Sequence, residues 1–234
     1  ALAAFLTMRG FEFIRTDIGY PNFPVKLISF IPGFLSTGNG PTHQAIEDVS
    51  LMRGIPNMNI YAPADEKDLL IGLESILKSE KPFYIRYNNR NYDFDHDQSF
   101  EIGKAEVISE GSDVTLITYG TLFAEAHQAK LALEEKGLKV GLINLRCIKP
   151  LDEKAIIKAA KNSSLLVSIE DHFQVGGLYS ILGELFLKEQ LSAKVMPIAL
   201  EEKWFIPAGL DDVIAHEGFS AKDIYEKVLK ELNK

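Results

Sequence analysis

Residues 32–44 read Pro-Gly-Phe-Leu-Ser-Thr-Gly-Asn-Gly-Pro-Thr-His-Gln and follow the apolar run Val25 to Phe30. The run predicts a buried strand, and the stretch after it predicts a loop that enters a helix near Thr42. In an open α/β sheet, ligands bind where loops leave the carboxyl ends of the strands. Three glycines let this loop approach a ligand closely. We expect Thr42 to cap the helix and His43 to lie in its first turn, where an imidazole can move a proton near neutral pH.

The same composition also fits an ordinary surface loop, because Gly, Pro, Asn and Ser are the common residues of turns. A single histidine is usually a structural hydrogen-bonding group. The stretch is not a P-loop, because no lysine follows its glycines, and it lacks the spacing of a GxGxxG fingerprint. The residues alone therefore leave a functional loop and a structural loop open.

The composition indicates a soluble globular protein and excludes several functional classes. The 234 residues are 46% apolar and 25% charged, enough for one large or two ordinary domains. A net charge of −8 without a basic cluster excludes a nucleic-acid-binding surface. One cysteine, Cys147, excludes a disulfide framework and a cysteine zinc site, and it is predicted to be a buried thiol. No apolar stretch is long enough to span a membrane and no signal peptide is visible, so we expect a cytoplasmic protein. Because the chain starts at Ala1 inside an apolar helical pattern, we also expect further sequence upstream.

Strands and helices alternate along the chain, which is the pattern of a parallel sheet with right-handed crossovers. The first half is expected to contain helices at 2–17, 42–53 and 65–79 and strands at 25–30, 58–61 and 83–87. The second half is expected to contain strands at 114–119, 140–145, 165–170 and 195–200, and helices at 120–136, 150–161, 177–188 and 221–232. The polar segment 88–98 is interpreted as a solvated linker. We therefore predict an α/β protein of two consecutive α/β domains with mainly parallel sheets, residues 1–98 and 99–234.

Charged residues outside the loop offer weaker candidates for a site. Arg86 and Arg90 lie at the end of a predicted strand and just after it, where either could bind a phosphate or carboxylate; a solvated surface arginine is the alternative. The alternating aspartates of residues 93–97 lack the Gly and Glu of a calcium loop. The Glu-Asp-His run at 170–172 is a poor metal site, because one short turn rarely supplies three convergent ligands.

Several spaced motifs resemble one family. The run Gly40-Pro41-Thr42-His43-Gln44 is followed by Glu47-Asp48, Met52-Arg53, Ile55-Pro56-Asn57-Met58 and Pro63-Ala64-Asp65. Together these motifs resemble the signature of the pyrimidine-binding domain of the transketolase family, and the segment from Phe5 to Arg15 is similar to the helix that precedes it. The second half is similar to the transketolase carboxy-terminal domain at residues 111–120, 149–152 and 170–177. The likeness covers nearly the whole chain and fits separately encoded carboxy-terminal transketolase subunits and deoxyxylulose-phosphate synthases especially well.

The resemblance implies an amino-terminally truncated pyrimidine-binding domain followed by a transketolase carboxy-terminal domain. It further implies the carboxy-terminal portion or subunit of a thiamine-diphosphate-dependent enzyme that transfers a two-carbon ketol unit between sugar phosphates. Members of this family form the active site between two chains. The implied partner is therefore an amino-terminal transketolase domain or subunit that carries the diphosphate and Mg2+ ligands, in a homodimer or a heterotetramer.

The resemblance also assigns roles to individual residues. Phe5 is implied to lie against the aminopyrimidine ring, although its position on an apolar helix face fits a core residue equally well. His43 is implied to be catalytic and to contact the substrate. Arg86 is implied to bind the sugar phosphate, with Arg90 as a second candidate. No residue of the carboxy-terminal domain is implied in catalysis, and no metal ligand is expected in this chain.

Two residues depart from the family pattern. Ile31 stands where many transketolases place a substrate-binding histidine, and Asn39 where they place an aspartate that reads a sugar hydroxyl. Ile31 cannot form that hydrogen bond, and Asn39 both donates and accepts. We therefore expect Asn39 to contact a substrate other than the usual pentose-phosphate pair. The activating glutamate of the family falls upstream of Phe5 and outside this sequence.

Three alternatives remain open. The chain could be part of a deoxyxylulose-phosphate synthase, a β subunit of a 2-oxo acid dehydrogenase, or a non-catalytic structural partner of such an enzyme. The departures at Ile31 and Asn39 favour the non-catalytic alternative, whereas the presence of Phe5, His43 and Arg86 favours catalysis. In each case we expect this chain alone to be inactive and to bind thiamine diphosphate poorly.

Overall fold

The computed structural model describes residues 1–233 and contains two sheets flanked by helices. The strands are β1 (Lys26–Ser29), β2 (Asn59–Tyr61), β3 (Phe83–Arg86), β4 (Glu106–Ser109), β5 (Val114–Thr118), β6 (Val140–Asn144), β7 (Cys147–Lys149), β8 (Leu165–Phe173) and β9 (Val195–Leu200). The first sheet has the order β1-β3-β2-β7 and the second the order β4-β6-β5-β8-β9. Every pairing is parallel except those of β7 with β2 and of β4 with β6. The predicted fold class, two α/β domains with mainly parallel sheets, is confirmed.

The α-helices are α1 (Phe11–Phe13), α2 (Asp48–Arg53), α3 (Glu66–Lys78), α4 (Phe123–Glu134), α5 (Glu153–Asn162), α6 (Leu178–Lys188), α7 (Leu210–His216) and α8 (Ala221–Leu232). Helix α1 lies between two π-helical segments, Phe5–Arg9 and Ile14–Gly19. Side chains fix several helix starts: Asp65 accepts from Asp68 N at α3, and Asp152 accepts from Ala155 N at α5. Such caps satisfy backbone donors that the first turn leaves unpaired.

Two short antiparallel strands and one helix were not predicted. Strands β4 and β7 and helix α7 have few residues, so their sequence patterns give little periodicity. Strand β7 comes from the second half of the chain yet extends the first sheet, which joins the two halves by backbone pairing. Strand β8 continues to Phe173, through residues that the sequence interpretation placed in a turn.

The buried core of the second sheet includes side chains from the first half of the chain. Phe34 and Ile46 are fully buried among residues of β5, α4 and β8. Cys147 is 2% exposed, which confirms the predicted buried thiol, and burial raises its pKa to about 12. Among residues 1–233, no helix combines the length and the apolar character needed to cross a membrane.

Candidate functional site

The glycine-rich loop, defined here as residues 30–47, leaves the carboxyl end of β1 and leads into α2. Gly33 and Gly40 have φ values of 56° and 75°, which glycine adopts without steric cost. Gly40 O accepts hydrogen bonds from His43 N at 3.0 Å and from Gln44 N at 3.1 Å. The loop therefore folds into a tight turn that presents His43.

The expectation that Thr42 caps a helix and that His43 lies in its first turn was wrong. Helix α2 begins at Asp48, after Glu47. Two residues between His43 and Glu47 use their carbonyl groups in hydrogen bonds outside a helix. Ala45 O accepts from Gly33 N at 2.9 Å, and Ile46 O accepts from Phe173 N at 2.8 Å. These tertiary hydrogen bonds hold the backbone outside the helix until Glu47.

Phe5 and His43 come together at the surface. Their ring centroids are 4.9 Å apart and the rings meet edge to face at 77°. Phe5 is 37% exposed, so it is not the core residue that the apolar pattern allowed. The guanidinium of Arg9 covers one part of the Phe5 ring, 4.3 Å from its centroid, and donates to Thr42 O at 3.2 and 3.1 Å. Arg9 thus ties the helical segment that carries Phe5 to the turn that carries His43.

One nitrogen of the half-buried His43 imidazole is occupied. Its Nδ1 lies 2.8 Å from Thr42 Oγ1, and the tautomer decides which of the two atoms donates. Within residues 1–233, no group hydrogen-bonds His43 Nε2. Because Thr42 occupies Nδ1 and limits rotation of the ring, Nε2 is the nitrogen that can reach a ligand.

Arg86 differs from its sequence prediction. Its side chain is only 2% exposed, with Nε 2.8 Å from Asp48 Oδ2 and Nη1 2.8 Å from Asp171 Oδ1. Burial alone would lower the pKa of Arg86, but the carboxylates of Asp171 and Asp48 outweigh it and raise the pKa. The two buried carboxylates occupy Nε and Nη1 of this guanidinium, whereas Nη2 is buried and has no hydrogen-bond partner within residues 1–233.

The other two candidate substrate contacts are more accessible. Asn39 is exposed on the glycine-rich loop, and its Nδ2 donates to Ser36 O at 3.2 Å. Arg90 keeps 21% of its side chain exposed, and its Nη1 donates to Thr121 O and to the Glu125 carboxylate at 2.8 Å. Asn39 lies on the same loop as His43, whereas Arg90 connects the polar segment after β3 to α4.

The Glu-Asp-His run at 170–172 does not converge on a metal position. Glu170 is buried and accepts from Leu178 N and Tyr179 N at 2.6 and 3.0 Å, and burial raises its pKa to about 8. Asp171 points to Arg86. His172 Nε2 accepts from Ser50 N at 3.2 Å. Each of the three side chains therefore contacts a different part of the structure.

The segment 88–98 is not entirely a solvated linker. His96 is buried, with Nδ1 2.8 Å from Glu106 Oε2 and Nε2 3.2 Å from Asp65 Oδ2. Arg146 pairs with Asp68 and Glu106 at 2.6 and 3.3 Å. Asp68, His96 and Glu106 have the spacing of a three-ligand metal site, but Arg146 already pairs with both carboxylates and His96 Nδ1 contacts Glu106. The ion pairs and hydrogen bonds of this buried cluster link the two halves of the chain.

Two residues of the site were missed from the sequence: Arg9, which was given no role, and Thr42, which was assigned as a helix cap. For Arg9 a signal existed, because Phe5 and Arg9 are spaced as neighbours on one helix face. The contact of Thr42 with His43 depends on the turn at Gly40, and the sequence pattern predicted the start of a helix there instead of a turn.

Comparisons with known proteins agree along the whole chain. The family model described as "Transketolase, pyrimidine binding domain" matches residues 2–94, and "Transketolase, C-terminal domain" matches residues 103–224. A putative transketolase C-terminal section of Methanocaldococcus jannaschii is 30% identical over 100% of this chain and 74% of its own length. A 6-deoxy-6-sulfo-D-fructose transketolase subunit of a Clostridium species is 32% identical over 96% of this chain and 70% of its own length. This chain covers only 38% of the 1-deoxy-D-xylulose-5-phosphate synthase of Dictyoglomus thermophilum, at 32% identity.

Solved structures give the same result. A protein described as "Split gene transketolase, inactive beta4 tetramer" superimposes with a TM-score of 0.89 at 31% identity, over 99% of this chain and 75% of its own. Transketolase from Pichia stipitis superimposes with a TM-score of 0.79 at 17% identity, over 33% of its chain, and this likeness shows the fold alone. The chain belongs to the transketolase family, in which it corresponds to the carboxy-terminal section.

Proposed function

We propose that this chain supplies the pyrimidine-facing half of a thiamine-diphosphate-dependent active site that transfers a two-carbon ketol unit between sugar phosphates. The contact between Phe5 and His43 on the glycine-rich loop carries the proposal, and family membership supports the reaction class. Two relatives are a 6-deoxy-6-sulfo-D-fructose transketolase subunit and an apulose-4-phosphate transketolase subunit of Phocaeicola vulgatus. Both names specify sugars with an anionic group, which supports an anionic sugar as the substrate here.

The Phe5 ring fits the aromatic part of the cofactor. The guanidinium of Arg9 covers part of the ring, 4.3 Å from its centroid, and the ring remains partly exposed, which leaves room for a second flat group. An aromatic ring favours such a neighbour through offset stacking. When bound, thiamine diphosphate supplies the chemistry that cleaves the bond between the two-carbon unit and the rest of the ketose.

His43 is proposed to hold or move a proton at a substrate oxygen through Nε2. Its other nitrogen is engaged by Thr42 Oγ1, which limits rotation of the imidazole. A positioned imidazole typically contributes about 10²–10⁴-fold to a reaction that needs proton transfer. Thr42 therefore orients the group, and His43 acts on the substrate.

Asn39 and Arg90 are proposed to bind the sugar. Asn39 is exposed on the loop that carries His43, and its amide can both donate to and accept from a hydroxyl. Arg90 keeps part of its side chain exposed, and its side-chain contacts with Thr121 and Glu125 use Nη1, so Nη2 is proposed to bind a phosphate. Arg86 is proposed to support the loop instead, because its ion pairs with Asp48 and Asp171 are buried.

The partner is proposed to be the amino-terminal transketolase section, on the same chain or on a second one, and the active assembly to be a dimer or heterotetramer. The buried cluster of Asp68, His96 and Glu106 is a poor Mg2+ site, because Arg146 already pairs with both carboxylates and His96 Nδ1 contacts Glu106. The Mg2+ and diphosphate ligands are therefore proposed to lie on that section. The solved relative described as an inactive β4 tetramer supports the proposal that this section is inactive by itself.

The proposal is tested by turnover of the complete enzyme, which contains this chain and the amino-terminal section, with thiamine diphosphate and Mg2+. Ketose and aldose phosphates serve as donor and acceptor. We expect two-carbon transfer, about 10²–10⁴-fold slower in His43→Gln and unchanged in His216→Gln, whose side chain is exposed on α7. Consumption of pyruvate with release of carbon dioxide would instead identify a deoxyxylulose-phosphate synthase. No turnover by a folded, cofactor-loaded enzyme would favour a non-catalytic role.

A further inference from the structure

The glycine-rich loop contains backbone conformations that it cannot hold by itself. Ile31 has a φ of 52° and Thr37 a φ of 40°, and both residues are β-branched. Left-handed backbone is a genuine outlier for such residues. It persists only where the surrounding structure fixes it, so the contacts that fix this loop decide where its turn presents His43.

Besides the hydrogen bonds from Arg9 to Thr42 O, the carboxy-terminal domain contacts the loop on both sides of His43. Phe34 is fully buried in the core of the second sheet, with its ring edge to face against Phe205 at 5.3 Å and against Phe219 at 5.0 Å. At the other end of the loop, Ile46 is buried in the same core and its carbonyl accepts from Phe173 N. The second domain thus holds the loop on both sides of His43.

Gln44, the neighbour of His43, is anchored to the same domain. Its side chain is fully buried, and Nε2 donates to Phe205 O at 2.8 Å. The Phe205 carbonyl is a fixed acceptor, because the Phe205 side chain is 2% exposed and packed in the core. This hydrogen bond sets the direction in which the backbone leaves His43.

Asp171 supports the first part of the loop. Its Oδ2 accepts from Phe34 N at 3.4 Å, while its Oδ1 accepts from Arg86 Nη1 at 2.8 Å. A Cβ at Gly33 would lie 1.9 Å from Asp171 Oδ2. The loop therefore packs directly on the Asp171 carboxylate, which the Arg86 ion pair holds in place.

We propose that Gln44 and Asp171 are positioning residues, through which the carboxy-terminal domain fixes the His43 imidazole against Phe5. Without the Gln44 hydrogen bond or the Asp171 carboxylate, the turn at Gly40 is no longer held in a fixed position relative to the second domain. His43 then samples orientations away from Phe5. The catalytic consequence rests on the proposed function, whereas the placement of the imidazole does not.

The placement is measured by NMR of the His43 ring protons in the complete protein with labelled histidine. His43→Gln assigns the signal by its disappearance from the spectrum of the complete protein, and Phe5→Leu gives its position without the aromatic neighbour. We expect Gln44→Met and Asp171→Asn, with native circular dichroism, to move the His43 signal toward its position in Phe5→Leu. Gln128→Met, the same change on the exposed face of α4, leaves the signal in place.

A wild-type His43 signal in folded Gln44→Met overturns the proposal. Gln44→Met decides alone if Asp171→Asn does not fold, because it removes no charge and nearly preserves the volume. In the complete enzyme, both variants are expected to lower kcat by up to about 100-fold, as displacement by roughly 1 Å can, with a small change in KM. If the signal moves but wild-type enzyme transfers no two-carbon unit, the positioning role stands and the proposed function fails.

Discussion

The ring of His43 meets the ring of Phe5 edge to face, with centroids 4.9 Å apart, although one lies on a loop and the other on an amino-terminal helical segment. Arg9 completes the arrangement, because its guanidinium covers Phe5 and donates to the carbonyl of Thr42. A flat apolar surface and a titratable ring thus share one small part of the surface. This pairing is the basis of the predictions below.

Removal of the Phe5 ring is expected to weaken cofactor binding. Phe5→Ala in the complete enzyme loses an aromatic contact of about 1 kcal/mol, equivalent to a roughly fivefold higher Kd for thiamine diphosphate. Phe5→Tyr keeps the ring and is expected to bind like the wild type. Isothermal titration with Mg2+ present measures both, and unchanged affinity in Phe5→Ala would place the cofactor ring elsewhere.

Loss of the Thr42 hydroxyl is expected to slow turnover while the fold is retained. Thr42→Val keeps the shape of the side chain but removes the hydrogen bond to His43 Nδ1. A net hydrogen-bond energy of about 1 kcal/mol predicts a roughly fivefold lower kcat/KM. Thr42→Ser restores the hydroxyl and should recover most of the activity. Equal rates for the Val and Ser variants would show that this hydrogen bond does not orient the imidazole.

Substitution of Arg86 is expected to destabilise the fold strongly. Arg86→Met leaves Asp48 and Asp171 as uncompensated buried carboxylates, and breaking a buried pair in this way costs about 3–5 kcal/mol. Urea denaturation measures the change in the free energy of unfolding.

Arg15→Met is the control for Arg86, because it removes an exposed ion pair with Glu12, and its stability should match the wild type. A stable Arg86→Met protein with a raised KM for sugar phosphate would contradict the structural role. It would restore the substrate role that the sequence indicated.

Stability is expected to fall between about pH 6.5 and 9 because of His96. Burial opposes protonation of this ring, but hydrogen bonds to Asp65 and Glu106 outweigh it and raise the pKa of His96 to about 9. The folded state therefore binds a proton in a range where the unfolded chain, with a histidine pKa of about 6.5, has lost it. The contribution of His96 to the free energy of unfolding is on the order of 3 kcal/mol. It is complete below the pKa of the unfolded state and is lost as the pH rises through the pKa of the folded state.

Urea denaturation of wild type and His96→Gln at a series of pH values isolates this contribution. The difference between the two proteins should shrink steadily from pH 6.5 to pH 9 and then level off. A difference independent of pH in this range would show that His96 is neutral in the folded protein.

The sequence was sufficient for the parts of the fold that depend on local pattern. Apolar runs followed by glycine or capping residues located most strands and helices, and the loop after β1 was identified by its glycines. Helix α2 was predicted too long because Ala45 and Ile46 bond to Gly33 and Phe173, partners that no local pattern reveals.

The environment of the charged residues could not be predicted. The burial of Arg86 was not predicted because its partners are remote in the chain: Asp48 lies on α2 of the same domain, and Asp171 comes from the carboxy-terminal domain. His96 was hidden in a polar segment for the same reason, since Glu106 and Asp65 enclose it from two different elements. Whether a charged side chain is buried depends on tertiary packing and cannot be predicted from composition.

The most direct test of the central claim is a crystal structure of the complete enzyme with thiamine diphosphate and Mg2+. We expect the aminopyrimidine ring to lie against Phe5, the His43 imidazole to direct Nε2 toward the bound cofactor, and the Mg2+ ligands to come from the amino-terminal section. A cofactor bound away from Phe5, or a His43 imidazole directed away from the bound cofactor, would contradict the account.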